Sequence, residues 1–465
     1  MSRPNAMTNP HLQIHLPRSR FAALGWVCEF IFGEISPNVR MVPGDDAWVV
    51  VTDGMRELRL ASIFPNLERD RSAWEMQNPT EPLGHLIQTG MEGFVTRIEL
   101  PIPVIFGRPT IRRSDTGLVC EADLFGSIFH VLSRFEEITG NGRDQHDRFP
   151  AKMSLAYRNG FLERPIADQY RALFLDMLDY VWPGTSLPEA SGRMEISCDV
   201  DEPFDRSVRS ISSLAKVLGG DVFKRRNPAL AARRLLNATV GARSTHFDPC
   251  YTFDWYMDQC EAAGLQVTFY FIAQRDAGAI DGTYDIDDPR ILKLLRDIAA
   301  RGHLIGMHGS YLSFRDPDRL RMQRFRLVDA LAKAGLDQDV IENRQHYLRW
   351  DASCTPDYLD AAGFLYDTSG GFADRPGFRF GTAREFRMWS WVQRAPLALR
   401  QKPLIAMEGS LLSSSYMGLT DDEALDLLVR LRCAAEDTGG NFSLLWHNSE
   451  LKTNSQRKLF SRLVA

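Results

Sequence analysis

The chain has 465 residues, 44% hydrophobic and 25% charged; this is the composition of a globular protein too long for one ordinary core, so two domains are expected. Its formal net charge of −5 argues against non-specific nucleic-acid binding as a main activity. The seven cysteines form an odd set with no C-x-x-C pair, which argues against both a disulfide framework and a cysteine-rich zinc module.

The opening stretch, "MSRPNAMTNPHLQIHLPRSRF", carries no apolar core of signal-peptide length. No segment approaches the roughly 20 apolar residues needed to span a bilayer. A reduced, cytoplasmic protein is the expectation. "AWVVVTDG" (47–54) and "PIPVIFG" (101–107) read as strands ending at glycine. "DLFGSIFHVLSRFEEI" (123–138) reads as an amphipathic helix. His130 lies in that helix, where a core or surface role is expected rather than ligation. Nothing upstream assembles a catalytic set. "WPGTSLPEASGR" (182–193) combines Pro, Gly and Ser and marks a boundary. It divides an N-terminal mixed α/β domain, residues 1–185, from a second domain over 193–465.

The second domain opens on "EISCDVDEPF" (195–204). If its start is extended, Cys198 and Val200 share one face, and Asp199 and Asp201 the other. Two carboxylates held that close repel unless a cation, a shared proton or a basic partner compensates. A basic insertion over 206–250 follows; its stretch 206–243 carries nine Lys/Arg against one acid. Such a flap could meet a phosphate of a nucleotide- or lipid-linked sugar, or simply be a solvated lid.

Beyond it, strand-length apolar runs recur: "QVTFYFI" (266–272), "LIGMH" (304–308), "QHYL" (345–348), "GFLYD" (363–367), "PLIAME" (403–408) and "FSLLWH" (442–447). Most are separated by helical patterns such as "DPRILKLLRDIAARG" (288–302). Strands alternating with helices imply a parallel sheet covered on both faces, open or closed. Asp199, His308, Asp367, Glu408 and His447 each end such a run, which favours one shared mouth at the carboxyl ends of the strands.

The ordered series "SCDVDEP", "VTFYF", "RGHLIGMHGS", "NRQHYLR" and "LLWHN" resembles the polysaccharide deacetylases of the NodB-homology type, carbohydrate esterase family 4. The nearer likeness is to a bacterial branch in which a smaller α/β domain precedes the deacetylase-like one. The resemblance implies an α/β fold: a distorted, incomplete (β/α) barrel of about seven parallel strands. It implies that Asp199 is the catalytic base and that Asp201 binds a divalent metal, often zinc. His308 matches the next ligand, but Leu312 stands where the family has a second histidine. Either His346 supplies the third ligand, or the metal is held loosely, or it is absent. Arg344 matches an arginine that orients the base, a task its planar fork suits. Asp367 matches a supporting aspartate, and His447 matches the general acid. His303 is expected to be structural, and Glu408 has no assigned role.

The implied activity is metal-dependent removal of an acetyl (acyl) group from a sugar or polysaccharide precursor. Two alternatives stand beside it. A degraded, non-catalytic carbohydrate-binding or assembly protein would account for Leu312. A D-x-D glycosyltransferase would also hold a divalent ion with paired acids.

Overall fold

The computed structural model describes residues 12–33, 39–65, 79, 81–86, 93–140, 142–185, 191–205, 210–240, 245–282 and 284–465. Parts of the expected boundary and of the basic insertion, 186–190, 206–209 and 241–244, lie outside the described residues. The upstream strands are β1 (Leu12–Pro17), β2 (Val39–Gly44), β3 (Trp48–Thr52), β4 (Glu57–Ala61), β5 (Gly84–Leu86), β6 (Ile102–Val104), β7 (Gly107–Ser114) and β8 (Gly117–Ala122). Six of them form one sheet in the order β2-β1-β3-β4-β8-β7, and β5 pairs with β6.

The downstream sheet contains β9 (Met194–Val200), β10 (Val267–Phe271), β11 (Leu304–Gly309), β12 (Glu342–Gln345), β13 (Tyr366–Asp367), β14 (Phe386–Ser390), β15 (Ala395–Gln401), β16 (Ala406–Met407) and β17 (Phe442–Leu445). Their order is β14-β15-β13-β12-β11-β10-β9-β17-β16. Every pairing is parallel except β14 with β15. The helices between strands are locally specified. In Pro289–Ala300, Asp288 accepts from Arg290 N, proline fills the first turn, and Ile291, Leu294, Leu295 and Ile298 form one buried stripe. Gly302, at φ +77°, follows its end.

The two-residue alternation of strands decides what the sheet encloses. On β9, Cys198 and Val200 are fully buried in the core, while Glu195 and Ser197 face a polar cavity of about 300 Å³ shared with Thr268, Tyr270, Glu342 and Arg344. Arg344 on β12 reaches Ser197 Oγ on β9 at 3.0 Å, across the two intervening strands. The sheet therefore curves around this space and presents its carboxyl-end residues to one mouth.

Upstream and downstream cores are joined. Trp26 meets Phe129 edge-to-face and Trp389 at a tilt, each at 5.5 Å between ring centroids, and donates Nε1–H to the Arg387 carbonyl. Glu137 is buried between Arg134 and Arg379. No helix among the described residues is long and apolar enough to cross a membrane.

Several expected elements differ in detail. The helix expected over 123–138 is two, Leu124–Leu132 and Phe135–Thr139, broken where Arg134 takes φ +54° and buries its guanidinium against Glu136 and Glu137. The strand expected at 345–348 ends at Gln345, and 346–348 is a tight turn with Tyr347 at φ +60°. The runs 363–367 and 403–408 contribute only two strand residues each. The sequence reading missed the β14–β15 pair and the long helix Pro317–Lys333. Arg234, expected on a solvated basic flap, is buried against Asp205 and Asp221, so its charge is already matched.

Candidate metal centre

β9 delivers Asp199 to the lumen face, and Asp201 follows just beyond the strand end on the same alternation. β11 delivers His308, and the turn after β12 delivers His346. Oδ1 of Asp201 lies 3.4 Å from Nε2 of His308 and 3.4 Å from Nε2 of His346. Zinc binds such donors at about 2.0–2.1 Å, and two corners of a tetrahedron of that size lie about 3.3 Å apart. The separations already match an ion between them. Two of these atoms, Asp201 Oδ1 and His308 Nε2, are buried without a hydrogen-bond partner, which a cation would satisfy. Asp201, His308 and His346 could thus hold a metal ion.

The imidazoles are oriented from behind. His308 Nδ1 donates to the Arg344 carbonyl at 2.8 Å, leaving Nε2 with its lone pair toward the site. His346 Nδ1 donates to Asp281 Oδ1 at 3.2 Å. Asp281 is fully buried and also accepts from the backbone N–H of Tyr311, Asp276 and Ala277. A carboxylate behind a ligating histidine fixes the tautomer that offers Nε2. The neighbouring Gly282, at φ +75°, is needed because a Cβ there would sit 2.7 Å from the Asp201 carbonyl oxygen.

Electrostatics answer how the paired acids coexist. Burial opposes charge on Asp201, but the His346 charge and the nearness of both imidazoles outweigh it and hold the carboxyl well below its usual range. Burial likewise pushes His346 down, yet Asp201 and Asp281 together raise it to about 9. A metal entering at neutral pH must therefore displace a proton from that ring.

Asp199 is 3% exposed. Its Oδ2 lies 3.6 Å from His308 Nε2, and its Oδ1 lies 3.7 Å from Arg344 Nη1. Arg344 is held for this position by Thr368, by Ser197 and by the face of Tyr270 at 4.9 Å. His447 Nε2 sits 3.6 Å from Asp201 Oδ2, on the other oxygen from the histidine pair. Its Nδ1 meets Glu408 Oε1 at 2.5 Å. Burial lowers His447, but Glu408 with Asp201 and Asp199 brings it up to about 10.

Of the residues singled out from the sequence, Asp199, Asp201, His308, His346, Arg344 and His447 come together. Asp367 does not reach the cleft. Its Oδ1 accepts from the N–H and hydroxyl of Ser369, closing a turn, and burial raises its carboxyl. His303 is structural, accepting from Val267 N and meeting Glu261. His130 is buried among Phe64, Phe106 and Phe135. Leu312 is 43% exposed at the start of a short turn, and it is His346 that stands 3.4 Å from Asp201 Oδ1. Glu408, left without a role, is the buried partner of His447. Asp281 was missed, because "AIDGTYD" reads only as a turn.

Residues 77–183 match a family of unknown function, DUF7033. No curated protein matches the chain. Among solved structures, a protein from Mycobacterium smegmatis assigned as a polysaccharide deacetylase aligns at 18% identity and TM-score 0.37, covering 60% of this chain and 85% of that one. Puue allantoinase aligns at 13% identity and TM-score 0.37, covering 60% and 87%. A second protein assigned as a polysaccharide deacetylase, from Pseudomonas aeruginosa PAO1, aligns at 13% identity and TM-score 0.34, covering 61% and 89%.

Proposed function

We propose that the chain is a metal-dependent hydrolase that removes an acetyl or similar small acyl group from a sugar or polysaccharide precursor. We read residues 193–465 as an incomplete NodB-like barrel, with 1–185 as a preceding domain, and zinc as the ion. The observation that carries the reading is one cleft where three metal donors, a second buried carboxylate and a carboxylate-paired imidazole converge. Their order along the chain also resembles that of polysaccharide deacetylases.

An amide carbonyl resists attack, so the site must sharpen a water and stabilise the charge that develops. A divalent ion on Asp201, His308 and His346 would supply Lewis-acid polarisation and acidify water. Asp199 would take the water proton, with the Arg344 guanidinium 3.7 Å away to orient it. His447 would give a proton to the leaving amine, a step typically worth 10²–10⁴-fold. Glu408 on Nδ1 would hold the tautomer that presents the acid proton at Nε2. Base and acid thus approach the carbonyl from different strand ends. Asp367 acts here as a positioning residue, through the turn that holds Thr368 against Arg344. The non-catalytic alternative drew its strength from Leu312, and a third donor from His346 beside Asp201 and His308 supports the hydrolase reading over it.

Acetate release from acetylated oligosaccharides by the zinc-loaded chain tests the reading. Asp199→Asn and His447→Ala should each lower single-turnover release by two or more orders of magnitude. Unchanged rates in both would refute the roles, and release of a nucleoside diphosphate instead would favour the glycosyltransferase.

A further inference from the structure

The metal cleft does not end at the strand tips. Its cavity, about 490 Å³, is lined by Asp199, Asp201, His346, Tyr347, Tyr416 and Arg148. A second cavity, about 610 Å³, adjoins it and shares Arg148 and Tyr416 with it. The outer cavity is built largely from upstream residues 143–152.

Arg148 joins the two. Its guanidinium donates to the Tyr347 carbonyl at 2.9 Å and the Tyr416 hydroxyl at 3.1 Å, and pairs with Asp144 at 2.7 Å. Two half-exposed aromatic rings flank it. Tyr347 sits at φ +60° and Leu348 at φ +54°, consecutive left-handed residues that a chain adopts only under constraint. That strained turn points His346 into the donor set while leaving the Tyr347 ring against His146 and His346, each 4.8 Å away, with 38% of the residue exposed. Rings exposed in this way give flat faces for sugar rings.

The outer cavity carries excess positive charge. Arg143, Arg148 and Lys152 outnumber Asp144 and Asp374 in its lining by one; Asp144 is matched by Arg148, while Asp374 keeps its charge and accepts from the Ala151 N–H. Among the described residues Arg143 donates to the Gly142 and Glu137 carbonyls and lies over the Phe149 ring. Lys152 is exposed. Among the described residues, neither Arg143 nor Lys152 has a carboxylate within ion-pair distance. The planar guanidinium fork fits a carboxylate.

We infer that the joined cavities are a binding cleft for an acidic glycan. The acylated sugar would lie over the metal centre, and a neighbouring sugar carboxylate would be held by Arg143 and Lys152. The upstream residues would thereby set substrate class. The placement of the acylated sugar rests on the hydrolase reading; the anion site does not.

The test is calorimetric binding to the full chain without added metal. The probes are a tetrasaccharide alternating N-acetylglucosamine with glucuronate, and the N-acetylglucosamine tetramer. The acidic probe should bind about tenfold more tightly at low salt, and the preference should shrink as salt rises. Arg143→Gln and Lys152→Gln should each cut the ratio between the two affinities several-fold, and Lys152→Arg should keep it. Equal binding of both probes, or a ratio that neither variant moves, overturns the inference. If the ratio behaves as expected but no acetylated glycan releases acetate under any divalent metal, the hydrolase reading falls and the acidic cleft stands.

Discussion

Asp281 offers the sharpest check on how the metal donors are held. Its Oδ1 accepts from His346 Nδ1 at 3.2 Å and Tyr311 N at 2.7 Å, while Oδ2 accepts from Asp276 N at 2.8 Å and Ala277 N at 2.7 Å. Asp281→Asn keeps size and shape but replaces one oxygen with an NH2. Whichever way the carboxamide turns, it faces two N–H donors with hydrogens of its own. Either His346 loses its acceptor, or the loop carrying residue 281 loses its anchor. Loss of such an outer partner typically weakens metal binding 10–100-fold, about 1.4–2.8 kcal/mol. Zinc affinity measured by competition with a chromophoric chelator, at fixed pH, reads this directly. His346→Ala should lose more than Asp281→Asn. If His346→Ala abolishes tight binding while Asp281→Asn stays within threefold of the parent, the positioning argument is wrong although the donor set is right.

Three further outcomes follow from the packing. Gly282→Ala should weaken zinc binding at least tenfold more than Gly278→Ala, because both residues have positive φ but only the former meets the Asp201 carbonyl; equal losses would show that backbone strain alone matters. Arg234→Ala should cost about 3 kcal/mol in urea unfolding by removing the buried cation between Asp205 and Asp221, with Asp221 keeping Arg225 at 2.8 Å, and a change below 1 kcal/mol would contradict the buried pairing. His130, driven down to about 3 by burial and by Arg134, titrates near 6.5 when unfolded. The unfolded chain therefore binds more protons between pH 6.5 and 3, and stability falls as pH drops through that window. By pH 4.5 the group costs roughly 3 kcal/mol relative to pH 7.5. His130→Leu should be spared that portion of the acid loss, and parallel pH profiles for the two proteins would refute it.

The sequence alone determined the features that are local. Alternation along β9 put Asp199 and Asp201 on one face, and the apolar runs at 304–308 and 442–447 placed His308 and His447 at strand ends. The helix at Pro289–Ala300 was legible from its spacing. These follow from nearest-neighbour geometry, which the chain carries wherever it goes. The exceptions arose where a tertiary contact overrode the pattern, as when the buried Arg134 broke a helix and the Tyr347 turn cut short a strand.

Only the tertiary structure decided who meets whom. Asp281 finds His346 across 65 residues, Glu408 finds His447 across 39, and Arg148 finds Tyr347 across 199. Nothing within a turn or a strand marks these partners. Their pairing is set by curvature of the sheet and by the upstream residues folded over its mouth. A curved parallel sheet gathers its strand ends into a space a few ångströms across, and there the turn after β12 brings His346 beside Asp201 and His308. Chemistry at the strand tips is written locally, but completing its coordination and its charge balance is a property of closure.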